Sequence, residues 1–448
     1  MFEASNDSRN VKGLFVGIDI AKEKHWASID DGKEGKPFAF SNDRAGLDTL
    51  LDRIQQSRKS LGLADNDLVT VGLEPTGPYW KPLGYALKDQ PKINLVLVNP
   101  YHTKLSKELE DNSPLKSDPK DSRLIRNLVR EGKTLEARLP EGPYANLRRY
   151  SRLWNLMTRM HCRLANRLEA LLVEYFPEYE RCFSDFLGAT SAAVLERYGL
   201  AWDIRQARSF ALERLIFKTS RKQISKERGQ ELWNLAHNTL GHQRGKEAAS
   251  FELKFLLEQV HALEKKQDAL EVAMSKEIAI CQESQYLLSF PGVSTVSASI
   301  FLGATGSLAD FHSYKDLEKF AGLNLVSESS GKGKPEHRAH RHFSKRGRED
   351  LRHIVYLITF VAIAQNEQFR SLYQKKISSH IGKEKMPLIG SLMAKTLRVL
   401  YSLGKNHCYY DGQKLEEAKK EQALKYPRTI PDILRDVTVQ ENKSLCAL

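Results

Sequence analysis

The sequence predicts an α/β domain followed by a mainly helical region, and three observations carry that prediction. Residues 14–100 alternate short apolar, β-branched runs with segments of helical periodicity. Residues 145–176 then run without a single Gly or Pro, which only a long helix does comfortably. A third stretch from Leu287 combines a Pro-Gly turn, a cation-dense loop and a further apolar helix. A chain of 448 residues is long enough for several domains at roughly 100–200 residues each.

In chain order, LFVGIDI (14–20) is short, apolar and bounded by Gly13 and charged residues, so it reads as a buried strand. HWASID (25–30) and PFAFSN (37–42) follow at hairpin-like spacing, and LDTLLDRIQQ (48–57) has helical periodicity. LVTVGLE (68–74) is a second buried strand, YWKPLGYALKD (79–89) a helix and NLVLVNP (94–100) a third apolar strand. Three consecutive strands, a helix, then alternation is the element order of an RNase H-like fold, in which the first and fourth strands are neighbours. The expected domain covers residues 13–140, after a disordered tail at 1–12.

Along residues 145–176, Leu147, Tyr150, Trp154, Met157, His161, Leu164, Leu168 and Leu171 recur at steps of three and four, while Arg148, Arg149, Arg152, Arg159, Arg163 and Arg167 make a basic side. Pro177 stops this helix. Residues 178–250 read as a small helical insertion with Gly-marked turns. A second long helix carries Leu253, Leu256, Val260, Leu263, Gln267, Leu270 and Met274 as a heptad seam with one polar position. The two helices of this coiled-coil region (141–283) can pair within the chain or between protomers. The third domain spans 284–411, and 412–448 is a charged tail.

Composition narrows the function classes. With 69 Lys+Arg against 56 Asp+Glu the net charge is +13, which favours a polyanionic partner. The five cysteines are scattered without a CxxC pair, which argues against a disulfide framework or a zinc site. The first twelve residues lack the apolar core of a signal peptide, and the longest apolar run, Ile354 to Ala364, falls short of the about 20 residues a membrane span needs. A cytoplasmic protein with no membrane association is expected.

Four acids stand out. Asp19 lies in the first strand between Ile18 and Ile20, and Glu74 ends the second buried strand. A carboxylate there is costly unless paired, hydrogen-bonded or metal-bound. Asp118 and Asp121 sit in KSDPKDSRLIRNLV, where Pro119 suits the first helical position, Asp118 the N-cap and Asp121 the third position. That pattern is also plain helix capping. As a set of four, however, the acids supply what Mg²⁺-dependent phosphodiester chemistry needs: hard oxygen ligands from separate elements.

The third region offers Ser327, Ser329 and Ser330 ahead of Gly331. Loop serines are ordinary, and a nucleophilic serine needs activation and nearby cations to hold developing phosphate charge. Lys332, Lys334, Arg338, Arg341, Lys345, Arg346 and Arg348 could supply the cations. His337, His340 and His342 lie between arginines without a Cys partner, so a solvated cationic loop fits them better than a metal cluster.

GIDIAKEKH around Asp19, LEPTGPYW around Glu74 and KSDPKDSRLI around Asp118 and Asp121 resemble the four-acid signature of Piv/MooV-type DEDD transposases of bridge-RNA-guided insertion sequences. FPGVSTVSASIFLGATG, FAGL, SSGKGK and SKRG resemble that family's C-terminal domain, so the likeness runs from about Leu14 to Asp411. It departs in reading KSD and KDS where the family more often has KTD and xDA, and in placing Ser329 where an acid is common. The resemblance implies a RuvC-like domain, a coiled-coil middle and a serine transposase domain. It puts the Mg²⁺ (or Mn²⁺) ligands on Asp19, Glu74, Asp118 and Asp121 and the nucleophile on Ser330. It also implies double-stranded target and donor DNA as substrates, a structured non-coding guide RNA, and a homo-oligomer in which dimers assemble to a tetramer. Three rival readings fit part of the sequence. A RuvC-like resolvase or nuclease would need the acids and water but not Ser330. An actin-like ATPase or sugar kinase would need phosphate and adenosine segments that the chain lacks. In a non-catalytic nucleic-acid scaffold, Asp118 and Asp121 would only cap a helix.

Overall fold

The computed structural model describes residues 13–30, 35–64, 67–110, 118–221, 223, 227–328, 340–378 and 385–413. They fall into two units, one ending at Leu139 and one beginning at Pro140.

In the first unit, β1 (Leu14–Asp19), β2 (Lys24–Ile29) and β3 (Phe38–Ser41) form an antiparallel ribbon, followed by α1 (Arg44–Ser60). Asp43 caps α1 by accepting from the Gly46 N–H at 2.8 Å. Then come β4 (Val69–Leu73), α2 (Trp80–Lys88), β5 (Ile93–Leu97), α3 (Pro100–Glu110), α4 (Asp118–Arg130) and β6 (Leu135–Glu136). The sheet order is β3-β2-β1-β4-β5-β6, with β1, β4 and β5 parallel. The first and fourth strands are therefore neighbours, and the mixed sheet is consistent with a RuvC-like DEDD fold.

Strand alternation assigns the two faces of this sheet. Val16, Ile18, Val71 and Leu73 join Leu47, Leu50 and Ile54 of α1 and Leu83 and Leu87 of α2 in one core. Leu124, Ile125, Leu128 and Val129 of α4 pack with Val96 and Val98 in a second cluster. Two elements of this unit escape the sequence reading. The third strand ends at Leu97, not at Pro100, because Pro100 opens α3. Helix α3 is largely polar and exposed, so no periodic stripe announces it, and β6 is two residues long.

The second unit is dominated by α5 (Gly142–Tyr175) and α10 (Lys246–Ile280). Between them lie α6 (Ala189–Tyr198), α7 (Ala201–Ile204), α8 (Ser209–Thr219) and α9 (Glu227–His237). Helices α5 and α10 pair antiparallel within the chain. Asn146 meets Glu277 at 3.0 Å and His161 meets Glu264 at 3.6 Å, while Arg167 pairs with Glu252. The heptad positions Leu253, Leu256, Val260, Leu263, Leu270 and Met274 are buried. This is the intramolecular hairpin of the two arrangements the seam allows. One end of the hairpin clamps the insertion through Leu168, Phe176, Tyr179, Leu212, Leu232 and Leu253. Its other end joins the C-terminal helices through Leu147, Met274, Phe301, Leu351 and Leu397.

Those helices are α11 (Ser284–Leu288), α12 (Thr295–Thr305), α13 (Tyr314–Ala321), α14 (Glu349–Gln365), α15 (Glu367–Ser378) and α16 (Lys385–Asn406). A hairpin of β7 (Leu325–Glu328) and β8 (His340–Phe343) lies between α13 and α14. The Pro-Gly turn between α11 and α12 needs its glycine. Gly292 has φ +101°, and a Cβ there would come 2.9 Å from the Ala362 nitrogen. Among the described residues no helix is long and apolar enough to cross a membrane. The four cysteines among them are free thiols.

Candidate active site and cationic surfaces

The acid site begins with two glycines. Gly17 of β1 pairs in register with Gly72 of β4, and Ile18 pairs with Leu73. Each glycine stands two residues before an acid, so Asp19 and Glu74 follow side by side at the same edge of the sheet. Two residues along a strand return to the same face, so both acids share the glycines' face. Helix α4 lies on that face. A Cβ on Gly17 would come 2.1 Å from the Arg126 nitrogen and 2.4 Å from the Ser122 oxygen, and one on Gly72 would strike Val129. The absent side chains let the helix backbone rest directly on the sheet.

The direction of α4 then places its two acids. Arg126 donates to the Ser28 hydroxyl at 3.1 Å, level with Gly17, because Ser28 and Gly17 are register partners. Arg130 pairs with Asp30, whose N–H donates to the Phe15 carbonyl. The helix thus runs antiparallel to β1, and its first turn lies at the end of β1 that carries Asp19. Asp118 is the first helical residue, one position inside the cap expected from the sequence, and Asp121 completes the same first turn.

Electrostatics ties the four together. The Asp19 carboxyl is pushed up to about 6, first by burial and then by the charges of Asp121, Asp118 and Glu74. Lys107 acts in the opposite direction. Its ammonium sits 2.6 Å from Asp121 Oδ2. Sequence reasoning missed Lys107, because a lysine in the polar run LSKELE looks like any solvated charge. It also missed His25, a fully buried ring on β2 that accepts the Ala21 N–H at 3.2 Å and so braces the chain just after Asp19. Burial pushes this imidazole below its ordinary range.

The donor set suits a hard divalent cation, since all four side chains offer carboxylate oxygen. Asp19 is raised first by burial and then by the charges of the other three acids, and added positive charge would offset the latter. Among the described residues, no three acidic, His or Cys side chains are gathered tightly enough to hold an ion as they stand. With Lys107 on Asp121, the cluster is neutralised in part by its own chain.

The cations proposed for nucleic acid fall into distinct groups. Arg149, Arg152, Arg159 and Arg163 are exposed along α5. Arg148 instead turns inward and donates to the Gly303 and Ala304 carbonyls at 2.9 and 2.8 Å, closing the C-terminal end of α12. Arg167 is held by Glu252. Arg348 forms a two-point pair with Asp350 and lies over the Phe320 ring at 5.8 Å. Lys345 and Arg346 are exposed, and Lys345 adopts φ +51° where its N–H donates to the Gly322 carbonyl. Arg341 is the register partner of Ser327 across the β7–β8 hairpin. Ser329, Ser330, Lys332, Lys334, His337 and Arg338 lie outside the described residues, so the structure does not bring Ser330 to the acids or separate it from them.

Comparison with known proteins points to transposases. Residues 16–177 match the transposase family DEDD_Tnp_IS110, and residues 284–374 match the transposase IS116/IS110/IS902 family. In Streptomyces coelicolor, the "Insertion element IS110 uncharacterized 43.6 kDa protein" is 23% identical over 257 residues, 56% of this chain and 60% of that protein. The chain thus matches less than two thirds of that relative's length. The "Mini-circle putative transposase for IS117" of the same organism is 23% identical over 379 residues, 81% of this chain and 87% of that protein. The two family matches together cover more than half of the chain and place it in the IS110 family of transposases.

Proposed function

We propose that this chain is the DNA recombinase of an insertion sequence, cutting and rejoining strands at a site built by Asp19, Glu74, Asp118, Asp121 and Ser330. The observation that carries the reading is the register-matched pair of Gly-x-acid strand ends, with the first turn of α4 laid beside them. Such a set would hold Mg²⁺ or Mn²⁺. When bound, the ion would supply positive charge to the phosphate oxygens as charge develops there.

The chain's own residues do the rest. The four carboxylates orient the site and set its charge, and Asp19 must give up the proton it holds below about pH 6. Ser330 Oγ forms the bond to phosphorus, the bond from phosphorus to the 3′ oxygen breaks, and the hydroxyl proton ends on that oxygen. The 5′ strand end is left as a phosphoserine, and rejoining reverses the step with the 3′ hydroxyl of another strand, so no phosphodiester is consumed. Lys332, Lys334, Arg338, Arg341, Lys345 and Arg346 would steady the phosphates. Arg149, Arg152, Arg159 and Arg163 would track nucleic-acid backbone without reading sequence. Sequence choice would fall to a structured non-coding RNA paired to target and donor DNA. Dimers assembling to a tetramer would bring two strands together.

Covalent trapping tests this reading. Full-length protein with its co-purifying RNA is mixed with labelled duplex DNA carrying the element's ends and Mg²⁺, then denatured and sized. The expected adduct disappears in Ser330→Ala and Asp19→Ala and survives in Ser329→Ala. Strand cleavage without an adduct, indifferent to both serine changes, would make the chain a water-using nuclease and overturn the proposal.

A further inference from the structure

One cation of the chain lies inside the acid cluster. Lys107 reaches from α3 to place its ammonium 2.6 Å from Asp121 Oδ2. Asp121 is the more deeply set partner, its side chain 14% exposed against 38% for Lys107, so the lysine enters from the solvent side. The same ammonium opposes the charge that Asp121, Asp118 and Glu74 press on Asp19. A lysine suits a temporary partner. It is a point charge on a flexible stem, makes no directional demand on a carboxylate, and is readily rehydrated. A divalent cation brings twice the charge and takes carboxylate oxygen directly. The two compete for Asp121, because an ammonium and a divalent ion beside one carboxylate repel each other and each weakens the other's hold.

Resting on the acid-site reading above, we propose that Lys107 is a displaceable counter-cation: it holds Asp121 while the site lacks metal, yields that oxygen to the entering divalent ion, and then pairs with a phosphate of the bound DNA. The consequence is a linkage. Metal entry frees a positive charge at the mouth of the site, so metal and DNA favour each other through Lys107, and neither completes the site alone. A lysine that merely bolts α3 to α4 would give no such linkage.

Calorimetric Mn²⁺ titration of the full chain tests the first half, with thermal unfolding run on each variant. Lys107→Met removes the competing charge and keeps the stem, so Mn²⁺ should bind about tenfold more tightly than to wild type. Lys107→Gln should do the same, and Lys107→Arg should stay near wild type. Unchanged or weaker Mn²⁺ binding in a folded Lys107→Met protein would overturn the proposal and leave Lys107 a structural pair. The second half is read from binding to a short duplex in Mn²⁺. Lys107→Met should lower the salt dependence by about one phosphate contact. An unchanged salt slope would overturn the phosphate role. Wild type that shows no Mn²⁺ binding sensitive to Asp19→Asn would sink the acid-site reading itself, which tighter or looser binding in the lysine variants cannot do.

Discussion

The acid cluster and the arginine-rich helix α5 are both charged regions, yet they are built in opposite ways. Asp19 and Glu74 stand 55 positions apart in sequence and meet because the strand register pairs Gly17 with Gly72. The arginines of α5 are close in sequence and separate in function. Arg149, Arg152, Arg159 and Arg163 face solvent, whereas Arg148, one residue from Arg149, closes the end of α12. Charge gathered by a sheet is therefore a deliberate cost, visible in the raised carboxyl of Asp19. Charge strung along a helix is inexpensive, and each residue's role depends on which side of the turn it occupies.

The sharpest way to break this contrast is at the glycine pair. Gly17→Val should collapse the acid site and destabilise the first unit by about 3 kcal/mol or more, since α4 must lift off the sheet. A circular-dichroism melt reads this, and Gly132→Ala, where a Cβ meets nothing within 4 Å, is the comparison. Its left-handed φ of +69° makes that control carry only local backbone strain. A Gly17→Val protein as stable as wild type would mean that α4 does not rest on β1.

Next in size is the split within α5. Arg148→Met should cost about 2 kcal/mol, because two carbonyls at the end of α12 lose a charged donor. Replacing Arg149, Arg152, Arg159 and Arg163 together by Gln should change stability by no more than about 0.5 kcal/mol. It should also flatten the salt dependence of nucleic-acid binding by up to about four contacts. The reverse pattern, with stability lost in the quadruple variant and binding lost in Arg148→Met, would invert the assignment.

Asp19→Asn should act in the unusual direction for an active-site change. The folded carboxyl titrates near 6, above its ordinary value of 3.8. As pH rises from about 4 to about 6 the unfolded chain ionises before the folded one, so wild-type stability falls across that window. Removing the charge should stabilise the metal-free protein by about 1 kcal/mol at neutral pH, after allowance for solvent screening. Asp19→Asn should also abolish that decline, which pH-dependent denaturant melts would show. The smallest effect is expected at Arg167→Ala, whose partner Glu252 is a surface acid. A clear drop in melting temperature there would contradict the reading of that pair as an exposed one.

Much of this is legible in the sequence. The apolar runs around Val16 and Val71 announced central strands, and the three-and-four spacing from Leu147 announced α5. The adjacency of Asp19 and Glu74 followed from element order. What stayed hidden depended on three-dimensional partners. Nothing local marks Lys107 as the partner of Asp121, or separates Arg148 from Arg149, because each assignment is made by a different helix. The polar helix α3 left no stripe to read. The role of His25 needed the strand β2 around it, since a lone histidine in KEKH looks like a surface residue.

The central claim is that residues 19, 74, 118 and 121 form one cation site. Iron(II)-driven hydroxyl-radical cleavage of the polypeptide tests it directly, because iron substituted for Mg²⁺ cuts the backbone beside its own ligands. Fragments should end near Asp19, near Glu74 and between Asp118 and Asp121, all suppressed by excess Mg²⁺ and lost in Asp19→Asn. Cleavage concentrated instead around the histidines at 337–342, or none that Mg²⁺ suppresses, would contradict it.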